Sequence, residues 1–382
     1  MNAYSLTYFF IIVLCIVTIL ISPKRYYKKI IPSFSILFAA QQYMFLRANS
    51  IIDVNRFYDN MNSIRNIRYL AGYEGVVSFL SNHYDYSTQP LAGAYLVLCS
   101  LIQNNYFILF LTGIVVSLNI LNLMKMVSID SDLSKSGLCV MFTIFFLSYD
   151  MFRAISGVRF AIASSFFALL FYMLQTKRIK KSMFLLTSAL LALCHTSIWL
   201  YLVIYLATTV LKHSLFRYLA YGIALFFGSI NNILIDLVAK LPIPIIAEYF
   251  VNKNARYYDT DKYAVGFLII NFLMIGLIVI YFFSEKYINK IKNDYTQKRD
   301  YQVFLIILFL LVIGSYRIVD LQNRTLILLN LLSIPIIGDL FNMEKNFFED
   351  KKALTQIVLR ILAISIAFMF FSLNSITLNN FF

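Results

Sequence analysis

Apolar positions in this chain come in uninterrupted runs of about 20 residues, broken by short polar and basic connections. A run of that length crosses a bilayer as a helix. The pattern predicts an all-α polytopic integral membrane protein with about 12 transmembrane helices. They are expected near 4–22, 30–46, 106–124, 137–149, 158–176, 182–195, 197–211, 218–236, 264–284, 301–316, 325–343 and 353–373. The segment 89–102, "QPLAGAYLVLCSLI", is short for a span and is expected to be re-entrant or interfacial. With no repeat at fixed period and no Pro/Gly linker, one integral domain over 1–382 is the simplest organisation.

Composition agrees. Of 382 residues, 60% are hydrophobic and 14% charged, a balance no soluble domain of this size shows. The net charge of +14 invites a nucleic-acid partner, but its positives fall between the apolar runs. Topology explains them, and no nucleic acid is expected. Cys15, Cys99, Cys139 and Cys194 lie in apolar segments without CxxC or Cys/His spacing, so they read as small core residues. The first apolar run lacks a basic leader and a small-residue cleavage site and is read as an uncleaved span.

Basic connections at 23–29, 125–135, 177–181, 212–217, 285–299 and 344–352 hold most of the 33 lysines and arginines. They are expected to be cytoplasmic. Alternation then requires that 89–102 does not cross. It also requires that the run around His195 divides into two short helices. Residues 47–88, the turn near 150–159, His195, residues 237–262 and the turn 317–324 all fall on the external side. Polar residues gathered at one end of apolar spans usually line a cavity or pathway.

Arg153 and Arg159 flank Ser156-Gly157 at the mouth of one span, and Arg317 and Arg324 occupy the mouth of another. Two readings stand for them: snorkelling to lipid headgroups, or presenting fixed, forked cations to a phosphate or diphosphate. Gly157 would permit a turn or a close backbone approach. Asp320, between Arg317 and Arg324, is placed to pair with one of them. His195 reads as a core histidine satisfied by Thr196 or Ser197, or as a functional base. Asp53, Asp59, Glu74 and Asp85 share the first external loop with four arginines. Solvated surface pairs account for Asp59 and Asp85, while an acid near the membrane face would serve as a base for a sugar hydroxyl. No triad and no metal-binding set of histidines is present.

Several of these pieces, in order, resemble the EpsG/Wzy-type polysaccharide polymerases of bacterial O-antigen, capsule and exopolysaccharide assembly. "FLRANSIIDVNRFYD" resembles that family's Arg, Asp, aromatic pattern through Arg47, Asp53 and Tyr58. "SYDMFRAISGVRFAIASSFFALLFYML" resembles its signature span through Arg153, Arg159 and Ala163. "LLALCHTSIWLYLVIYL" is similar to its Ala, His, Ser element through Ala192, His195 and Ser197, and "QNRTLILLNLLSIPII" to its terminal Arg-led span through Arg324. Two positions depart from the family pattern: Phe160 stands where Gln usually follows the Arg, and Gln89 stands where Glu often precedes Pro.

The resemblance implies a helical membrane glycosyltransferase of GT-C-like architecture in the bacterial inner membrane, with its site facing outward. Donor and acceptor would both be glycans on undecaprenyl diphosphate. The acceptor hydroxyl would attack the donor anomeric carbon and lipid diphosphate would leave. No cofactor and no metal are implied. A chain-length regulator and membrane lipid are the further partners. In this scheme Arg153, Arg159, Arg317 and Arg324 hold the diphosphate, His195 or Asp53 is the base, and Arg47, Tyr58 and Glu74 touch the glycan. A lipid-linked oligosaccharide flippase and an O-antigen ligase are the alternatives. The first should spread its charges through both leaflets, and the second should carry a larger external loop late in the chain.

Overall fold

The computed structural model describes residues 3–23, 27–46, 52–149, 151–210, 214–227, 229, 295–315 and 318–342. Every element among them is a helix. In chain order these are α1 (Ala3–Ile21), α2 (Tyr27–Leu46), α3 (Ile52–Asn82), α4 (Tyr84–Ser87), α5 (Pro90–Ser100), α6 (Phe107–Asp130) and α7 (Lys135–Ser148). Then follow α8 (Met151–Ser156), α9 (Val158–Gln175), α10 (Lys181–Ala192), α11 (Ser197–Val210), α12 (Ser214–Leu225), α13 (Tyr295–Gly314) and α14 (Val319–Asn342). The chain divides into two compact units, Met1–Leu202 with Ser333–Phe382, and Val203–Leu332.

In the first unit α6 lies between α2 and α9, and α1 packs on α2 and α7. Helices in lipid gain little by hiding apolar surface from one another, so close packing and side-chain hydrogen bonds hold them together. Both are present. Gly113 of α6 meets α2 so closely that a Cβ there would stand 2.9 Å from the Ala39 Cα. Asn119 Nδ2 donates to Ser165 Oγ of α9 at 3.0 Å. Aromatic rings fill the wider gaps: Phe38 stacks on Phe146 at 4.7 Å, and the Tyr8 hydroxyl donates to the Phe146 carbonyl at 3.0 Å. Phe9, Phe10, Leu14 and Val17 face outward from α1, as suits lipid rather than water.

Contacts also fix the direction of each helix. Lys135 Nζ, at the start of α7, donates to the Leu20 carbonyl near the end of α1. Asp130, ending α6, accepts from Tyr172 at 2.7 Å and pairs with Arg178 at 2.6 Å, both beside the end of α9. Thus α1, α6 and α9 finish at one end of the unit, where Lys177, Lys180 and Lys181 also lie. At the opposite end Asn104 Nδ2 donates to the Tyr43 hydroxyl near the end of α2, and the backbone N–H of Leu91 donates to the Leu193 carbonyl beyond α10. Arg65 of α3 binds the carbonyls of Ser100 and Ile102 at that same end.

The segment 89–102 therefore stays at one end. Its helix α5 has 11 residues, about 16 Å of axis against a hydrocarbon core of about 30 Å. The run around His195 likewise divides into α10 and α11. Residues 47–88, expected as a loop, are largely helical. α3 spans 31 residues with a break at Gly72, whose φ of 64° lies in the left-handed region. Mixed polar and aromatic composition hid this helix, because it carries no clean apolar stripe.

Within the second unit α12 packs on α13. The Tyr205 ring meets Phe304 edge-on at 6.2 Å, the Tyr301 hydroxyl donates to the Leu332 carbonyl at 3.1 Å, and Gln322 Nε2 donates to the Val312 carbonyl at 3.0 Å. Among the described residues three helices, Phe107–Asp130, Val158–Gln175 and Asp320–Gly338, are long and apolar enough to cross a membrane, with shorter apolar helices beside them. The expected spans 264–284 and 353–373 and the loop 237–262 lie outside the described residues.

Candidate functional site

At the end of the first unit away from the lysines, a group of polar side chains gathers around Arg159. Gly157 is the N-cap of α9 and makes no side-chain cap, so Arg159 sits in the first turn. There backbone N–H groups and the helix dipole already favour an anion. Gly157 itself has φ −87°, and a Cβ there would meet nothing nearer than 3.7 Å. The turn that Gly157 permits would accept alanine as well.

The Arg159 side chain is 11% exposed and lies 3.6 Å from Asp85 Oδ2. It donates through Nη1 to Gln89 Oε1 at 3.2 Å, and its guanidinium stands 5.5 Å from the Phe57 ring centre. Arg56 approaches the same Asp85 oxygen at 3.5 Å and the same ring at 5.8 Å. Asp85 was expected among solvated surface pairs. It instead links two arginines from different elements, because α4 brings it back over α3, a fold the loop's composition did not reveal.

Tyr86 forms the floor, 2% exposed, with Asn60 Nδ2 donating to its hydroxyl at 2.5 Å and the His83 ring 4.7 Å away. Burial pushes the Tyr86 phenol above its ordinary value, while Arg159 and the Asn60 hydrogen bond pull it back. The net direction is upward, so Tyr86 keeps its proton and is no base. Burial also raises the phenol of Tyr58, as does neighbouring Tyr106, whose ring it meets edge-on at 5.1 Å.

His195 reaches the same corner through the turn between α10 and α11. Cys194 Sγ donates to the Arg159 carbonyl at 3.7 Å, and the His195 ring meets Phe160 edge-on at 5.2 Å. His195 is 5% exposed, and its Nδ1 accepts the backbone N–H of Ser197 at 3.2 Å. A neutral imidazole so engaged carries its proton on Nε2. Its first duty is to close the turn that starts α11.

The other expected site residues lie as follows. Asp53 lies in the first turn of α3, ahead of Arg56, and Arg153 lies on α8; neither side chain is among the described ones. Tyr58 is half-buried and Glu74 exposed. Arg324 pairs with Asp320 one turn earlier in α14 at 2.6 Å, the local pairing anticipated for Asp320. Arg47 and Arg317 lie outside the described residues. Sequence reasoning missed Arg56, Asp85, Asn60 and Tyr86 as neighbours of Arg159. Only Gln89-Pro90, singled out as a departure from a family pattern, pointed there. No group of three His, Cys, Asp or Glu side chains gathers among the described residues.

With every described element a helix and three of them long and apolar enough to cross a bilayer, the chain is a polytopic membrane protein that carries a partly buried guanidinium cluster at one end of its first unit. It belongs to the EpsG family, whose model matches residues 66–382. Membership places it among membrane proteins of polysaccharide biosynthesis, of the polymerase kind. Neither a curated protein nor a solved structure matches the chain.

Proposed function

We propose that this protein is a polysaccharide polymerase that joins oligosaccharide repeat units carried on undecaprenyl diphosphate at the outer face of the bacterial inner membrane. The observation that carries the reading is Arg159, a guanidinium at a helix N-terminus, 11% exposed and facing an acid and an amide oxygen. A guanidinium this little exposed beside apolar spans is costly, and such residues usually line a functional cavity; a loosely paired one suits an anionic substrate. The lysine-rich opposite end supports an outward-facing site by the positive-inside rule.

In the reaction the acceptor sugar oxygen forms a bond to the donor anomeric carbon as the bond from that carbon to the diphosphate oxygen breaks. The electron pair leaves with the lipid diphosphate, and the acceptor proton passes to a base. Negative charge grows on the diphosphate, so preorganised cations lower the barrier. Arg159 takes that role first, with Arg153 and Arg317 as its companions. Arg324, already held by Asp320, contributes less. Asp53 and His195 are the base candidates; His195 would have to exchange its Ser197 hydrogen bond to serve through Nδ1. Arg47, Tyr58 and Glu74 are assigned to the glycan.

Losing one oriented donor of this type costs a factor of about 10²–10³ in rate. A strain whose only copy carries Arg159→Ala should therefore show single repeat units instead of a polymer ladder on glycan gels, with the protein still inserted. An unchanged ladder would remove Arg159 from the reaction.

A further inference from the structure

We propose that Asp85 is a built-in competitor for the substrate's phosphate: it shares the seat between Arg56 and Arg159 and keeps both guanidinium groups aimed at it between turnovers. The inference deepens the polymerase reading and rests on it. It adds Arg56 to the anion site and gives Asp85 the role of a positioning residue acting through the two cations.

Three observations carry it. Both arginines converge on a single atom, Asp85 Oδ2, at 3.5 and 3.6 Å, and both lie against the one Phe57 ring. One oxygen held by two guanidinium groups is the arrangement a phosphate oxygen also satisfies. Second, the pairing is loose. Charge-assisted N–H···O bonds run at roughly 2.7–2.9 Å, and this protein makes such bonds elsewhere: Asp130 engages Tyr172 at 2.7 Å and Arg178 at 2.6 Å, one with each oxygen. Asp130 therefore acts as a clasp, and Asp85 as an anion that can be exchanged. Third, exposure rises across the cluster, from 11% at Arg159 through 21% at Asp85 to 43% at Arg56. An incoming anion meets Arg56 first and Arg159 last. Gln89 adds an amide to the inner guanidinium without adding negative charge, so among the described side chains here two cations share one carboxylate.

The seat would thus handle both entry and release. Phosphate displaces the carboxylate on arrival, and the carboxylate helps to expel the lipid diphosphate after transfer. Removing the competitor should tighten ground-state binding and slow release.

The test uses the full chain in phosphatidylcholine nanodiscs, with inorganic diphosphate and farnesyl diphosphate as calorimetric probes. Asp85→Asn should bind both probes about five-fold more tightly, the factor matching an ion pair of roughly 1 kcal/mol. It should also lower KM and kcat together on lipid-linked repeat units, and Asp85→Glu should return both toward the parent. A merely structural Asp85 would lower the melting temperature of the Asn variant without tightening binding, and that result overturns the proposal. Should Asp85→Asn fail to accumulate, Arg56→Gln decides: weaker probe binding supports the shared seat, and unchanged binding overturns it. Phosphatidylglycerol added to the nanodiscs should leave probe affinity unchanged; its loss would assign the seat to lipid headgroups and also overturn the proposal. If the parent binds neither probe, the diphosphate reading itself fails. If the parent binds and Asp85→Asn is no tighter, only this inference fails.

Discussion

Two arginines of the same polar end illustrate how one side chain type takes two duties. Arg65 spends its guanidinium on the protein: Nε donates to the Ser100 carbonyl at 2.9 Å, Nη1 to Asn62 and Asn105, and Nη2 to the Ile102 carbonyl. That fork ties α3 to the connection between α5 and α6. Lysine cannot reproduce it, since its three donors radiate from one nitrogen. Arg65→Lys should cost about 1–2 kcal/mol, read as a lower melting temperature in detergent. Arg159 has looser contacts and less exposure, and its replacement should register in polymer formation instead. The sequence pointed to Arg159, a charge between the apolar Val158 and Phe160, but not to Arg65, which lies between Ile64 and Asn66 in a mixed stretch. The partners of Arg65 are backbone carbonyls some 35 residues away in sequence, and no residue type announces those.

At the scale of elements, the contact between α2 and α6 is the one most sensitive to volume. Only hydrogen at Gly113 lets the helices approach, and a side chain would meet the Ala39 backbone at once. Gly113→Val should cost about 1–3 kcal/mol by overpacking and lower the yield of monodisperse protein after detergent extraction. A Gly113→Val protein as stable as the parent would mean that α2 yields easily. Helix existence was legible for α1, α2, α6, α7 and α9, because their apolar runs are long. It was not legible for α3, where Arg56, Phe57 and Asn60 face the site on a helix whose composition reads as loop. The burial that orders α3 comes from α5, with which it packs, and a pattern in α3 alone carries no trace of that partner.

For the molecule as a whole, the two ends of the first unit differ in chemistry, and the helix directions read from contacts match the alternation demanded by the basic connections. The orientation argument predicts opposite accessibility at Asp59 and Lys180, both exposed residues, at opposite ends. The native cysteines are all buried, so single reporters suffice. In intact cells a membrane-impermeant maleimide should label Asp59→Cys at once, and Lys180→Cys only after permeabilisation. The reverse pattern would turn the proposed site toward the cytoplasm and remove the external polymerase reading.

Run length and charge placement were enough by themselves for the membrane class, for the long apolar helices α6, α9 and α14, for a short separate helix within 89–102 and for the division at His195. Those properties depend on solvent: hydrocarbon rewards uninterrupted apolar length, and basic loops stay on one side. Composition also singled out Arg159 and His195, since charge and imidazole stand out in apolar surroundings. Which side chains meet Arg159 was decided only by tertiary structure. Asp85 and Arg56 come from a helical segment that looked like loop, and Gln89 from a short helix that turns back at the same end. A guanidinium in an apolar turn states that a partner is needed; only the fold supplies it, by bringing Asp85 of α4 and Gln89 at the start of α5 to Arg159 of α9.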